Sequence, residues 1–176
     1  MRRQTAWRWG QLLGFDIYWT LAVVLRSPWP LLPILALHLW LTPSRQRDLW
    51  LLPLAAGGFS IDLLLWGLGV LAFDAFPLWL LGLWVGFVWT LPHGMGWLEQ
   101  WSPLWVALLG AIVGPLAYLV GAKFGGVALP FGAPWSAVVL ALIWAVLLPV
   151  LVAIVKQRSR PPASASHAAP HAKERK

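Results

Sequence analysis

Residues 77–98 limit what this chain can become. They read Pro-Leu-Trp-Leu-Leu-Gly-Leu-Trp-Val-Gly-Phe-Val-Trp-Thr-Leu-Pro-His-Gly-Met-Gly-Trp-Leu, with no Asp, Glu, Lys or Arg among them. A helix of ~20 such residues matches the ~30 Å hydrocarbon layer of a bilayer. Gly82, Gly86, Thr90, His93 and Trp97 recur at helical spacing, so small and polar groups share one face. A helix built this way wants other helices on its polar stripe and lipid around the rest.

The whole chain has the same character. Of its 176 residues 60% are hydrophobic and 11% charged, whereas soluble domains carry about a quarter charged residues. That excludes a soluble globule, and the length suits one domain. Net charge is +7, but the basic residues lie at the ends and in one loop. They form no groove on a folded module, so nucleic-acid binding is not expected. Cysteine is absent, which removes disulfides, thiolate metal sites and cysteine nucleophiles.

Six spans are expected, over residues 9–25, 31–41, 50–73, 77–98, 104–122 and 135–155. The fold class is therefore an all-α, polytopic membrane helix bundle. Asp16 interrupts the first apolar run and no small-x-small cleavage site follows, so that run reads as a retained span. The second is short and needs tilt or bilayer thinning to cross, which keeps a five-span alternative open. Residues 42–49, with Arg45, Arg47 and Asp48, read as a loop, and 125–134 as a Gly/Pro-rich outer loop. Pro115 is expected to kink the fifth span. Residues 1–155 form the bundle; 156–176 read as a disordered, basic cytoplasmic tail. With the N-terminus inside, eleven of the thirteen Lys and Arg residues fall on the inner side and only Arg26 and Lys123 outside. Both termini are thus expected in the cytoplasm.

Four Gly-x-x-x-Gly pairs begin at Gly10, Gly82, Gly110 and Gly121. Each allows close backbone approach, and Gly82, Gly86, Gly110, Gly114 and Gly121 are the expected helix-packing positions. Ten of the fifteen tryptophans fall near the ends of apolar runs, as interfacial anchors do. Trp19, Trp66, Trp84, Trp89 and Trp144 lie inside the runs. They provide packing bulk or the wall of a site for a lipid chain.

Four ionisable residues fall inside the expected spans: Asp16, His38, Asp62 and His93. An Asp at the bilayer centre costs at least ~2.5–3.5 kcal/mol, so such groups face protein or a cavity. Asp62 shares a stripe with Gly58 and Gly69 near mid-membrane. Asp62 and His93 are the candidate catalytic residues, with packing roles as the alternative. Asp16, His38 and His93 lie at depths that allow a cytoplasm-facing polar cluster, which Asp62 is too deep to join. Thr90, one turn from His93, and Tyr118 are further cavity or packing groups. No metal-ligand spacing such as His-x-x-x-His occurs, so neither a metal nor another cofactor is expected. No phosphate loop, dinucleotide fingerprint or carboxylate pair is present.

Gly58-Phe59-Ser60-Ile61-Asp62 with Gly67-Leu68-Gly69 forms a distinctive block. So do Pro77-Leu78-Trp79-Leu80, Leu83-Trp84, Thr90-Leu91-Pro92-His93 with Trp97-Leu98, and Gly114-Pro115-Leu116-Ala117-Tyr118 with Gly121. On these motifs, over about residues 49–124, the chain resembles the domain of unknown function 2878 family of small bacterial inner-membrane proteins. The resemblance implies a multi-pass protein of the bacterial cytoplasmic membrane and brings no established activity. The leading reading is a non-catalytic partner or accessory component of the envelope. Its partners are membrane lipids, with envelope proteins or a second copy of the chain beside them. A lipid-modifying or lipid-handling component and a small proton-coupled transporter are the alternatives.

Overall fold

A computed structural model describes residues 2–159. The helices are α1 (Arg2–Leu25), α2 (Leu31–Leu41), α3 (Arg45–Trp50), α4 (Leu52–Gly67), α5 (Leu78–His93), α6 (Pro103–Lys123) and α7 (Ala133–Ser159), with a 3-10 turn at Gly96–Gln100. Only Leu51 separates α3 from α4, so the described residues form six helical rods, in the order the apolar runs predict. Three of them, Arg45–Gly67, Pro103–Lys123 and Ala133–Arg158, are long and apolar enough to cross a membrane. At 1.5 Å per residue, α2 and α5 are only ~16 and ~24 Å long, below the full hydrocarbon thickness. The last helix continues to Ser159, past the expected boundary at 155. The rest of the expected tail lies outside the described residues.

Three further boundaries differ from the sequence reading, each for a local reason. Residues 45–50 are helical rather than loop, because α3 runs almost directly into α4 and turns Asp48 inward. The third rod stops at Gly67 instead of 73. Gly69 takes φ +75°, a left-handed conformation that glycine adopts without Cβ strain. Beyond it Ala72 and Ala128 exchange two backbone hydrogen bonds of 2.9 and 2.8 Å. That ties the 125–134 loop to the end of the third rod. The fourth rod ends at His93 because Gly94 and Gly96 follow Pro92, and three weak helix formers in five residues end it early. By contrast α6 continues through Pro115.

Helix α5 is central, packed against α1, α2, α4 and α7, while α6 lies along α7. Glycines set the closest approaches. On α6, a Cβ at Gly110 would strike the Trp144 backbone, and one at Gly114 the Trp144 ring, both on α7. On α5, Gly82 lies against Leu31 and Tyr18, and Gly86 against the Tyr18 ring. Tyr18 closes that contact by donating its hydroxyl to the Gly82 carbonyl at 2.6 Å. Two of the pairs make no comparably close approach among the described residues of this chain. Gly10 and Gly14 have nothing within 4 Å, because their face of α1 is exposed. Gly125 lies beyond α6 at φ +75°, and Gly121 makes only ordinary contacts with Val127 and Val23.

Candidate functional site

One face of the α3–α4 rod carries both polar centres of the bundle. Asp48, Leu51, Ala55, Gly58, Asp62 and Leu65 recur at helical spacing, and all are buried. Asp48 is 0% exposed and Asp62 1%. Along the rod they are ~21 Å apart, so they serve different depths.

The deeper centre is closed by short hydrogen bonds. Trp84 Nε1 on α5 donates to Asp62 Oδ2 at 2.6 Å, and the Tyr118 hydroxyl on α6 donates to Oδ1 at 2.5 Å. Gly58, one turn before Asp62, leaves the space that the Trp84 ring fills. Trp84 in turn stacks on Trp144 of α7, with centroids 5.6 Å apart and planes within 10°. Three helices thus meet at one carboxylate, and α7 braces them through Trp144. The arrangement holds a carboxyl group at fixed geometry beside a cavity of about 370 Å³. Trp19 of α1, Phe87 of α5 and Val113 of α6 represent its apolar wall; Asp62, Tyr118 and Asp16 are its polar groups. Lining residues run from Leu109 to Gly121 along α6, a length of ~18 Å.

The second centre gathers the start of α3 and the ends of α2 and α5. Thr42 Oγ1 donates to Asp48 Oδ2 at 2.6 Å. His93 Nε2 is 2.9 Å from Asp48 Oδ1, and His38 Nε2 is 3.3 Å from Oδ2. Trp7 Nε1 donates to His93 Nδ1 at 3.3 Å. Because Nδ1 accepts there, the neutral His93 carries its proton on Nε2 and donates it to Asp48. Trp89 fixes the floor: its ring stacks on His38 at 4.9 Å, and its Nε1 donates to the Asp48 carbonyl at 2.7 Å.

His38 and His93 meet here, with ring centroids 5.4 Å apart. Asp16 does not join them. It is exposed on α1 and borders the cavity instead. Thr90 hydrogen-bonds the carbonyl of Gly86, one turn back on its own helix, at 2.8 Å, not His93. Trp97 lies in the 3-10 turn beyond α5, packed edge-on to Trp101.

Asp48 and Thr42 are the residues that sequence reasoning missed. A signal was present. Ser44 stands at the N-cap position directly before α3, and from Asp48 the apolar positions 51, 52 and 55 follow at helical steps. The run of charges at 45–48 outweighed it.

A family model described as "Protein of unknown function (DUF2878)" matches residues 8–150. That match extends beyond the 49–124 block, over most of α1 and most of α7. No curated protein and no solved structure matches the chain.

Proposed function

The chain belongs to the DUF2878 family, and we propose that it is an accessory protein of the bacterial inner membrane that holds the hydrocarbon chain of a lipid. The observation that carries this reading is the Trp-walled cavity. Its volume of about 370 Å³ falls in the range of small-molecule sites. Its ~18 Å length exceeds half of the ~30 Å hydrocarbon layer, which suits an extended chain better than a compact solute. Helices α1 and α6 both line it, yet they are not among the closely packed helix pairs.

Asp62 with Tyr118, and Asp16 on α1, are the polar groups beside the tail. Both carboxylate oxygens of Asp62 already accept fixed hydrogen bonds, which suits a positioning group better than an attacking base. That favours a binding role over lipid chemistry at this spot. In this reading six helices lie in the bilayer with both termini in the cytoplasm. The excess of Lys and Arg on that side supports the orientation.

The test is lipid retention. Protein extracted in mild detergent is examined by native mass spectrometry, followed by identification of the lipid released. The wild-type protein is expected to carry a chain-bearing lipid. Ala117→Trp, on the cavity wall, is expected to lower occupancy at least ~tenfold, the equivalent of 1.4 kcal/mol, with the helical signal unchanged. A wild-type protein free of lipid, or a well-folded Ala117→Trp protein that retains it, defeats the proposal.

A further inference from the structure

We propose that His38, Asp48 and His93 form a site for one divalent first-row transition-metal ion. Three helices deliver one ligand atom each, the consecutive α2 and α3 together with α5 from 45 residues further on, and these atoms all lie within 4.8 Å of one another. Two imidazoles and one carboxylate form a donor set that suits Zn²⁺ or Fe²⁺ and disfavours Ca²⁺ or Mg²⁺, which prefer oxygen alone. The spacing is that of a contracted site. His93 Nε2 and Asp48 Oδ1 are 2.9 Å apart, and ligand bonds of about 2.0–2.2 Å require the two atoms to separate slightly.

Burial favours occupancy. Asp48 is completely enclosed, and the His93 side chain is 3% exposed. A carboxylate enclosed in an apolar bundle needs positive charge opposite it. The two histidines provide that charge only when protonated, whereas a divalent ion provides it outright. The surroundings also orient the ligands, as outer-shell groups at metal centres do. Thr42 holds Asp48 Oδ2, and Trp89 holds both the Asp48 backbone and the His38 ring.

One contact opposes binding. Metal at Nε2 of His93 displaces the proton there, and the neutral ring then carries its proton on Nδ1. Trp7 Nε1–H points at that atom, so the indole must turn away when the ion enters. Trp7 therefore competes with the metal, which sets the sign of a substitution. Trp7→Phe keeps an aromatic ring beside His93 and removes the competing donor. Binding is expected to tighten by roughly threefold to tenfold, the worth of one neutral hydrogen bond.

The chain's own composition makes the test clean. His167 and His171 are the only other histidines, and there is no cysteine. The full-length protein is purified through a tag without histidine, in a His167→Ala/His171→Ala background, and stripped with chelator. It is then titrated with Co²⁺ or Zn²⁺ alone and assayed for bound metal. About one equivalent is expected, with the visible absorption of four-coordinate Co²⁺. His38→Cys is expected to keep Co²⁺ and add a thiolate-to-cobalt band, which no other residue can produce. Asp74→Asn, which removes an exposed carboxylate outside the site, is expected to leave binding unchanged. Failure to bind Zn²⁺ or Co²⁺, or binding that survives His38→Ala combined with His93→Ala, overturns the site. A folded His38→Cys protein that binds without the thiolate band, or a Trp7→Phe protein that binds no tighter, overturns the assigned ligand atoms.

Discussion

Asp48→Ala is expected to lower the stability of the bundle by about 2–5 kcal/mol. The carboxylate accepts from the Thr42 hydroxyl and is bonded by both His38 and His93, so its removal leaves three polar groups without their shared acceptor. Hydrogen bonds between membrane helices average ~0.6 kcal/mol and reach ~1.7, because the unfolded chain in lipid also finds partners. Three of them give the stated range. Asp48→Asn keeps a carbonyl acceptor and is expected to cost roughly half as much. Denaturant titration in detergent, followed by circular dichroism, measures both. A loss below ~1 kcal/mol in Asp48→Ala means that the network contributes position without stability.

That network was hidden from the sequence by the same physics that exposed the rest. A bilayer makes polarity rare, so Asp62, His38, His93 and Tyr118 stand out wherever they interrupt an apolar run. The six rods were legible because apolar length is nearly the whole signal for a membrane helix. Asp48 carried no such contrast. Among Arg45, Gln46 and Arg47 it looks like one more solvated charge, and only the docking of α2 and α5 against α3 encloses it. Glycine gave a similar partial answer. A Gly-x-x-x-Gly pair reports that approach is allowed, as at Gly110 and Gly114, but not that a partner arrives, as at Gly10 and Gly14. The cavity was still less legible. It is a space left between helices, and spacing along one chain does not encode it.

Two adjacent glycines are expected to respond in opposite directions. Gly57 and Gly58 differ by one step around α4. A Cβ at Gly57 meets nothing within 4 Å, while one at Gly58 strikes the six-membered ring of Trp84. Gly57→Ala is therefore expected to be neutral or to stabilise by up to about 1 kcal/mol through helix propensity. Gly58→Ala cannot be absorbed by a flexible side chain. The Trp84 ring is stacked on Trp144 and hydrogen-bonded to Asp62, so moving it breaks two contacts. Overpacking costs ~1–3 kcal/mol, and the lost bond to Asp62 adds up to ~1.7, for about 2–4 in all. Trp84 also lines the cavity, and a displaced ring is expected to lower lipid occupancy along with stability. The double variant Gly58→Ala/Trp84→Phe isolates the cause. A smaller ring relieves the clash but cannot restore the hydrogen bond, so stability is expected to recover in part, with a coupling energy well above the ~0.5 kcal/mol of independent sites. Equal effects at Gly57 and Gly58, or simple additivity in the double variant, would mean that Trp84 does not lie in the pocket that Gly58 opens, and Asp62 would lose the donor that holds it.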